Sequence, residues 1–293
     1  MPAGPDVREP VCIWPAGAQL CEGPFWDDRA NALYWVDIKA PCIMRWTQGG
    51  ERRVWKVPAE IGCLAPRAAG GMIAALRTGI ALWDPDTDRF EPVCNPEQDR
   101  SGNRFNDGKC DQSGNFWAGS MDDAILAPTG WLYRLDKDRR LVRTEGGYVV
   151  TNGPAFSPDG RSAYHTDTMG RTVYAYDLLE GVLSNKRVFV RFSEADGYPD
   201  GMTVDAEGCV WICHWGGGRV TRHRADGTRE LSIAMPATQV TSCAFGGKSL
   251  STLFVTTAAI GLPPEERARQ PLAGGLFAVE TEFKGVPVAR YAG

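Results

Sequence analysis

Histidine is scarce in this chain. His165, His214 and His223 are the only three among 293 residues, which argues against a His-rich catalytic zinc site. No run of 18 apolar residues occurs, so no membrane-spanning helix is expected. Lys/Arg blocks are also absent and the formal net charge is −4, so the basic stripe of a nucleic-acid surface is missing. There is no GxSxG nucleophile elbow and no GxxxxGK[ST] loop. The Gly-rich stretches Trp215-Gly-Gly-Gly218 and Cys243-Ala-Phe-Gly-Gly247 lack the strand-to-helix context that would let them cradle phosphate. The nine cysteines are odd in number, scattered, and contain no CxxC. They read as reduced, mostly buried thiols. Cys209 and Cys213 lack the second pair that a thiolate metal site needs. The first ten residues carry no apolar stretch of signal-peptide form, which gives the expectation of a cytoplasmic protein.

What is present is β structure. Leu33–Ile38, Val173–Tyr176 and Cys209–Trp215 are aromatic and β-branched runs. Turn formers bound such runs at Pro158-Asp-Gly160, Ala206-Glu-Gly208 and Ala225-Asp-Gly227. Helical period is missing over any long stretch. The one short helix expected is Pro263–Arg269, with proline early and carboxylates in its first turn. Four segments repeat: Glu22-Gly-Pro-Phe-Trp-Asp27, Asn106-Asp-Gly-Lys-Cys-Asp111, Asn152-Gly-Pro-Ala-Phe-Ser157 and Asp200-Gly-Met-Thr-Val-Asp205. Weaker copies begin at Gly62 and Thr241. The offsets of about 46 and 48 residues fall in the range of propeller blades, and the chain length allows about six. The expected fold is all-β, a six-bladed β-propeller in a single domain over residues 1–293. The first ten residues or so form a loose extension. Ring closure would pair the tail, near Phe277-Ala-Val279 and Tyr291, with the N-terminal strand.

In a propeller the innermost strands line the channel, and equivalent positions form rings about the axis. The ring position here carries Glu22, Asn106, Asn152 and Asp200. Two carboxylates and a carboxamide brought to one mouth suit a hard or borderline divalent cation. Turn chemistry is the competing account of any one Asn-Gly or Asp-Gly, but Glu22 is a poor turn former. Arg104, two residues before a ring position, offers a planar donor fork to a polyol or carboxylate. Asp107 is either a supporting acceptor or a turn residue. Asp122 and Asp123 end a strand, at the channel mouth or in a solvated loop. His165 is equally packed or functional.

These motifs resemble the regucalcin (senescence marker protein)–gluconolactonase family of six-bladed propellers. The resemblance runs from Glu22-Gly-Pro24 almost to the end of the chain. It is carried by Arg104-Phe-Asn-Asp-Gly-Lys109, Ala118-Gly-Ser-Met121, Thr151-Asn-Gly153, Pro199-Asp-Gly-Met202, Thr241–Lys248 and Arg269–Gly275. Tyr164-His-Thr-Asp-Thr168 and Leu183–Val190 look most like bacterial xylonolactonase or arabinonolactonase types. The resemblance implies one divalent cation, with Ca²⁺, Zn²⁺, Mn²⁺ and Fe²⁺ all open, held by Glu22, Asn152 and Asp200. It implies substrate binding by Arg104 and Asn106. Where some animal members carry a substrate-contacting Glu, this chain has Ala124, preceded by Asp122 and Asp123; Asp122 is taken as the candidate contact. The implied reaction is hydrolysis of a sugar aldonolactone; Asp200 is the candidate general base, with a metal-bound hydroxide as the alternative nucleophile. The expected partner is a small sugar lactone rather than nucleic acid or membrane, and the expected state is a monomer or small homo-oligomer. The alternatives are a non-enzymatic calcium-binding or regulatory propeller, and a lactonase or esterase with a non-sugar substrate.

Overall fold

In the computed structural model, which describes residues 7–293, twenty-four strands form six four-stranded antiparallel sheets. Their innermost strands are Cys21–Asp27, Ile61–Pro66, Asn103–Cys110, Thr151–Phe156, Tyr198–Val204 and Val240–Gly246. Each contacts the next around a ring, and the sixth contacts the first. The sheets are therefore the blades of a six-bladed β-propeller, numbered 1 to 6 from the blade that starts at Cys21.

The repeat follows from local chemistry. Behind each ring position the chain makes a tight turn at the far end of the innermost strand. Asp111 Oδ1 accepts the Ser113 and Asn115 backbone N–H groups, and its Oδ2 accepts the Trp117 indole N–H at 2.8 Å. Asp205 repeats the device with Glu207, Cys209 and Trp211, the indole again at 2.8 Å. Ser157 is the shorter version, its hydroxyl accepting the Ser162 N–H. The Asp or Ser five residues after the ring position is thus a turn staple. Trp117 and Trp211 are fully buried and pack on the next blade, Trp117 on Phe156 at 5.9 Å and Trp211 on Phe245 at 5.4 Å between centroids. Aromatic contacts of this kind join blade to blade, including Trp55–Trp83 and Trp26–Phe254.

Ring closure uses both ends of the chain. Val11–Trp14 pairs antiparallel with Leu276–Glu280 as the outermost strand of blade 6. Phe277 and Val279 lie in that strand, as expected. Tyr291 does not pair with the N-terminal strand. It is buried beneath blades 2 and 3, bridges Arg67 in parallel, and donates its hydroxyl to the Asp136 carbonyl at 2.8 Å. Of the segment expected to be a loose extension, Val7 bridges Thr281 and Arg8 donates its N–H to Glu280; residues 1–6 lie outside the described chain. The short helix is Pro264–Arg269, with Pro263 as its N-cap.

A second regularity bears on the site. Every innermost strand carries a β-bulge at the same step, between Glu22 and Phe25, Ile61 and Cys63, Phe105 and Gly108, Asn152 and Ala155, Pro199 and Met202, and Val240 and Ser242. An extra residue locally breaks the two-residue alternation and re-aims a side chain. At Gly23 and Gly153 the bulge needs positive φ, 56° and 75°. Blade 2 has Gly62 at the ring position because a Cβ there would lie 2.2 Å from the Asn106 carbonyl oxygen of blade 3.

The two staples differ in what they leave behind. Asp205 also pairs with the buried Arg222 guanidinium at 2.8 Å, whereas Asp111 has no cationic partner among the described residues. Asp205→Ala should therefore cost about 3–5 kcal/mol, as breaking a buried ion pair does. Asp111→Ala should cost about 1–3 kcal/mol. Chemical denaturation of the two variants checks the order.

Candidate metal and substrate site

The six bulges place Glu22, Gly62, Asn106, Asn152, Asp200 and Thr241 around one mouth of the channel. Glu22, Asn106, Asn152 and Asp200, the four oxygen-bearing residues singled out in the sequence, are each at most 5% exposed. A chain of hydrogen bonds sets the two carboxamides. Arg104 Nη1 donates to Asn106 Oδ1 at 2.8 Å. Asn106 Nδ2 donates to Asn152 Oδ1 at 3.0 Å and to the Thr151 carbonyl at 2.8 Å. Asn152 Nδ2 donates to Thr168 Oγ1 at 2.9 Å. Across the ring, the buried Glu22 and Asp200 carboxyls stand close enough that the Glu22 charge raises the Asp200 pKa. Gly23 donates its backbone N–H to Glu22 Oε2 at 3.0 Å.

The electrostatics of this pair are unfavourable when both acids ionise. Burial, then the nearby Asp107 charge, pushes the Glu22 carboxyl up to about 8. Burial and the Glu22 and Asp107 charges push Asp200 well above the usual carboxylate range. Two such groups keep a proton or take a cation between them. The donor types fit a divalent cation: two buried carboxylates, carboxamides at equivalent ring positions, and two buried hydroxyls without a partner. These are Ser242 Oγ, packed against Gly201, and Thr166 Oγ1, whose residue is paired in register with Asn152.

Asp107 is in the channel wall, not in a surface turn. It is 1% exposed, and its two oxygens accept the backbone N–H groups of Gly108 (2.8 Å) and Gly153 (3.0 Å). It therefore clamps the bulge of blade 4, next to Asn152, to the bulge of blade 3. Burial raises its pKa, against the Lys109 charge and those two N–H groups. Lys109 reaches across the channel to the Met202 carbonyl at 2.8 Å. Below it, on the opposite face, lies a cavity of about 330 Å³ whose wall includes Phe25, Phe156, Phe245 and Val288. The repeat contained the signal for both residues. At the positions one and three after the ring residue, the other five blades carry only Gly, Cys, Ser, Phe, Ala or Thr.

The two neighbouring aspartates separate. Asp122 turns its carboxylate onto the backbone of its own loop, accepting the Leu126 and Ala127 N–H groups at 2.8 and 2.9 Å. Asp123 accepts from Arg104 Nε at 2.7 Å. The Arg104 contact thus falls on Asp123, and Asp122 organises the loop that carries it. His165 lies away from the ring hydrogen bonds, packed edge-on against Tyr148 at 4.8 Å. Burial and Lys186 push its imidazole down to about 3, so it stays neutral.

All nine cysteines are free thiols, seven of them buried. Cys209 meets Asp205 and Glu207 rather than Cys213, with their ligand atoms within 4.8 Å of one another. A cation already occupies that cluster: the Arg222 guanidinium pairs with both carboxylates and with Glu230. Among the described residues no helix is long and apolar enough to cross a membrane.

Comparison with known proteins identifies the family. Residues 20–259 match the family model described as SMP-30/Gluconolactonase/LRE-like region. A 6-deoxy-6-sulfogluconolactonase of Pseudomonas putida is 36% identical, over 96% of this chain and 98% of its own. An L-arabinolactonase of Azospirillum brasilense is 35% identical, over 94% and 92%. The crystal structure of a regucalcin from Agrobacterium tumefaciens, described as a calcium-binding protein, superposes with a TM-score of 0.92 at 28% identity, covering 99% of this chain and 97% of that one. Fold, ring and relatives agree: the chain belongs to the SMP-30/gluconolactonase/LRE-like family.

Proposed function

We propose that this chain is a divalent-cation-dependent sugar lactonase that opens an aldonolactone to the aldonic acid. The observation that carries the reading is the buried Glu22–Asp200 carboxyl pair at the same ring register as Asn152, on a ring that also holds an arginine in fixed orientation. Glu22, Asn152 and Asp200 would hold the cation, which when bound supplies Lewis-acid polarisation of the lactone carbonyl. The two relatives named as lactonases support the substrate class.

The chain's own residues divide the remaining work. Arg104 uses Nε on Asp123 and Nη1 on the Phe105 carbonyl and Asn106, which leaves Nη2 for a substrate hydroxyl. Asn106, held by Arg104 and bonded to Asn152, fixes the wall against which the sugar ring lies. Asp200 is the general base. Burial and the neighbouring carboxyls raise its pKa; a cation held by Glu22, Asn152 and Asp200 would lower it again and keep the carboxylate ionised. Asp200 takes a proton from the attacking water and returns it to the departing ring oxygen as the C–O bond breaks.

Chelator-stripped protein should release no acid from pentono- or hexonolactones above the spontaneous rate. One of Ca²⁺, Zn²⁺, Mn²⁺ or Fe²⁺ should restore turnover, read with a pH indicator. Tight cation binding without turnover of any lactone would instead favour a binding propeller. Asp200→Asn should lower kcat by about 10²–10⁴-fold, the range for a lost general base. Retained turnover at normal metal content would remove Asp200 from that role. Arg104→Ala should act mainly on KM, raising it about 10- to 100-fold for the loss of a charged hydrogen bond.

The raised Glu22 pKa has a thermodynamic consequence for the cation-free protein. A carboxyl with a higher pKa folded than unfolded contributes stability that is complete below the unfolded value and is lost as pH rises through the folded one. Melting temperature in chelator should therefore fall between about pH 4.5 and about pH 8. Added cation should reduce the fall, and so should Glu22→Gln, the remainder coming from Asp200 and Asp107, whose pKa values are raised as well.

A further inference from the structure

Arg104 is a buried guanidinium whose orientation is set from behind. It is 5% exposed and sits two residues before a ring position on blade 3. Its Nε edge faces Asp123, and Asp123 is itself over-determined. Asp123 Oδ1 accepts Arg104 Nε at 2.7 Å and Lys39 Nζ at 2.6 Å, while Oδ2 accepts Arg77 Nη2 at 2.5 Å. Glu60 closes the circuit, taking Lys39 Nζ at 2.7 Å and Arg77 Nε at 2.5 Å. Arg77 also donates to the Ser101 and Asn103 carbonyls at 3.3 Å, the segment leading into the strand of Arg104. The circuit joins three blades: Lys39 follows a strand of blade 1, Glu60 and Arg77 flank strands of blade 2, and Asp123 and Arg104 belong to blade 3. Charges alternate around it, and only Arg104 reaches the ring.

Two features separate this circuit from an ordinary surface ion pair, which contributes little. Its side chains are a third exposed at most, and its members form a closed network in which Arg77 bridges the Glu60 and Asp123 carboxylates. The Asp123 loop is fixed independently by Asp122, which accepts the backbone N–H groups of Leu126 and Ala127. The Lys39 and Arg104 charges hold the Asp123 carboxyl at about 2 against the effect of burial, so it remains an anion across the working pH range.

We propose that Asp123 is a positioning residue for substrate specificity: it fixes the Arg104 guanidinium so that the free nitrogen meets the hydroxyls of a polyhydroxylated lactone. The inference rests on the lactonase reading above and adds to it the reason that the site prefers hydroxylated rings. A guanidinium held at Nε and Nη1 loses little freedom when Nη2 binds, so the preorganisation contributes to substrate affinity rather than to the chemical step. The lactone ester does not need Arg104; its ring hydroxyls do.

The test compares two substrates, a pentonolactone and unsubstituted δ-valerolactone, on wild type, Asp123→Asn and Glu60→Gln, each checked for cation content and melting temperature. In Asp123→Asn, KM for the pentonolactone should rise at least about tenfold with kcat within about threefold, while KM for δ-valerolactone stays within twofold of wild type. Glu60→Gln, which leaves the Asp123–Arg104 contact in place, should shift pentonolactone KM by less than Asp123→Asn does. Equal losses on both substrates would make Asp123 a fold-stabilising residue and overturn the proposal, as would wild-type KM values in Asp123→Asn. If Asp123→Asn melts early, Lys39→Met is the substitute: it removes one of the three cations that fix Asp123 and should give the same selective, smaller rise. Wild type that hydrolyses neither lactone with any cation would remove the lactonase reading itself, and the inference with it.

Discussion

One additional residue in each innermost strand turns a stack of sheets into a site. A regular strand sends alternate side chains to its two faces, and in a propeller those faces pack on the neighbouring blades. The bulge interrupts that alternation at one step per blade, and the residue released there faces the axis. With the step repeated six times, residues about 46 residues apart in sequence become neighbours. The consequence is electrostatic. Glu22 and Asp200 meet where water is scarce, and neither is matched by a cation at hydrogen-bond distance. The rest of the mouth is arranged around that imbalance: two carboxamides oriented by donors, one aspartate clamping adjacent bulges, and one lysine crossing beneath.

The same residue type serves opposed purposes within one repeat. Asp200 stands at the ring and faces the channel. Asp205, five residues later, is fully buried and satisfied by two backbone N–H groups, an indole N–H and a guanidinium. The second arrangement completes the hydrogen bonding of a carboxylate and stabilises the turn. The first leaves a carboxylate under-neutralised, which costs stability and creates capacity for a ligand. The acidic cluster around Cys209 belongs to the structural kind, because the Arg222 guanidinium already sits among its carboxylates.

Much of this was legible in the sequence. The repeat period set the blade number, and the ring register identified Glu22, Asn106, Asn152 and Asp200. The proline and carboxylates at 263–266 marked the short helix. What escaped were features that depend on the neighbouring blade. Asp122 and Asp123 are adjacent and chemically identical; their difference is that Lys39 and Arg77, from blades 1 and 2, stand beside one and not the other. Tyr291 was expected at the N-terminal strand, but the chain after Glu280 turns beneath blades 2 and 3, where a tyrosine ring fills the space beside Phe105 and Tyr133. Asp107 could not be separated from a turn residue without knowing that the Gly153 N–H of the next blade points at it.

The central claim is that the channel mouth gathers Glu22, Asn152 and Asp200 into a cation site. The most direct measurement is anomalous diffraction from crystals grown with Mn²⁺. The account predicts one strong peak within bonding distance of an oxygen of each of these three side chains. A peak placed only at Asp205 and Glu207, or none at the mouth at saturating Mn²⁺, would contradict it.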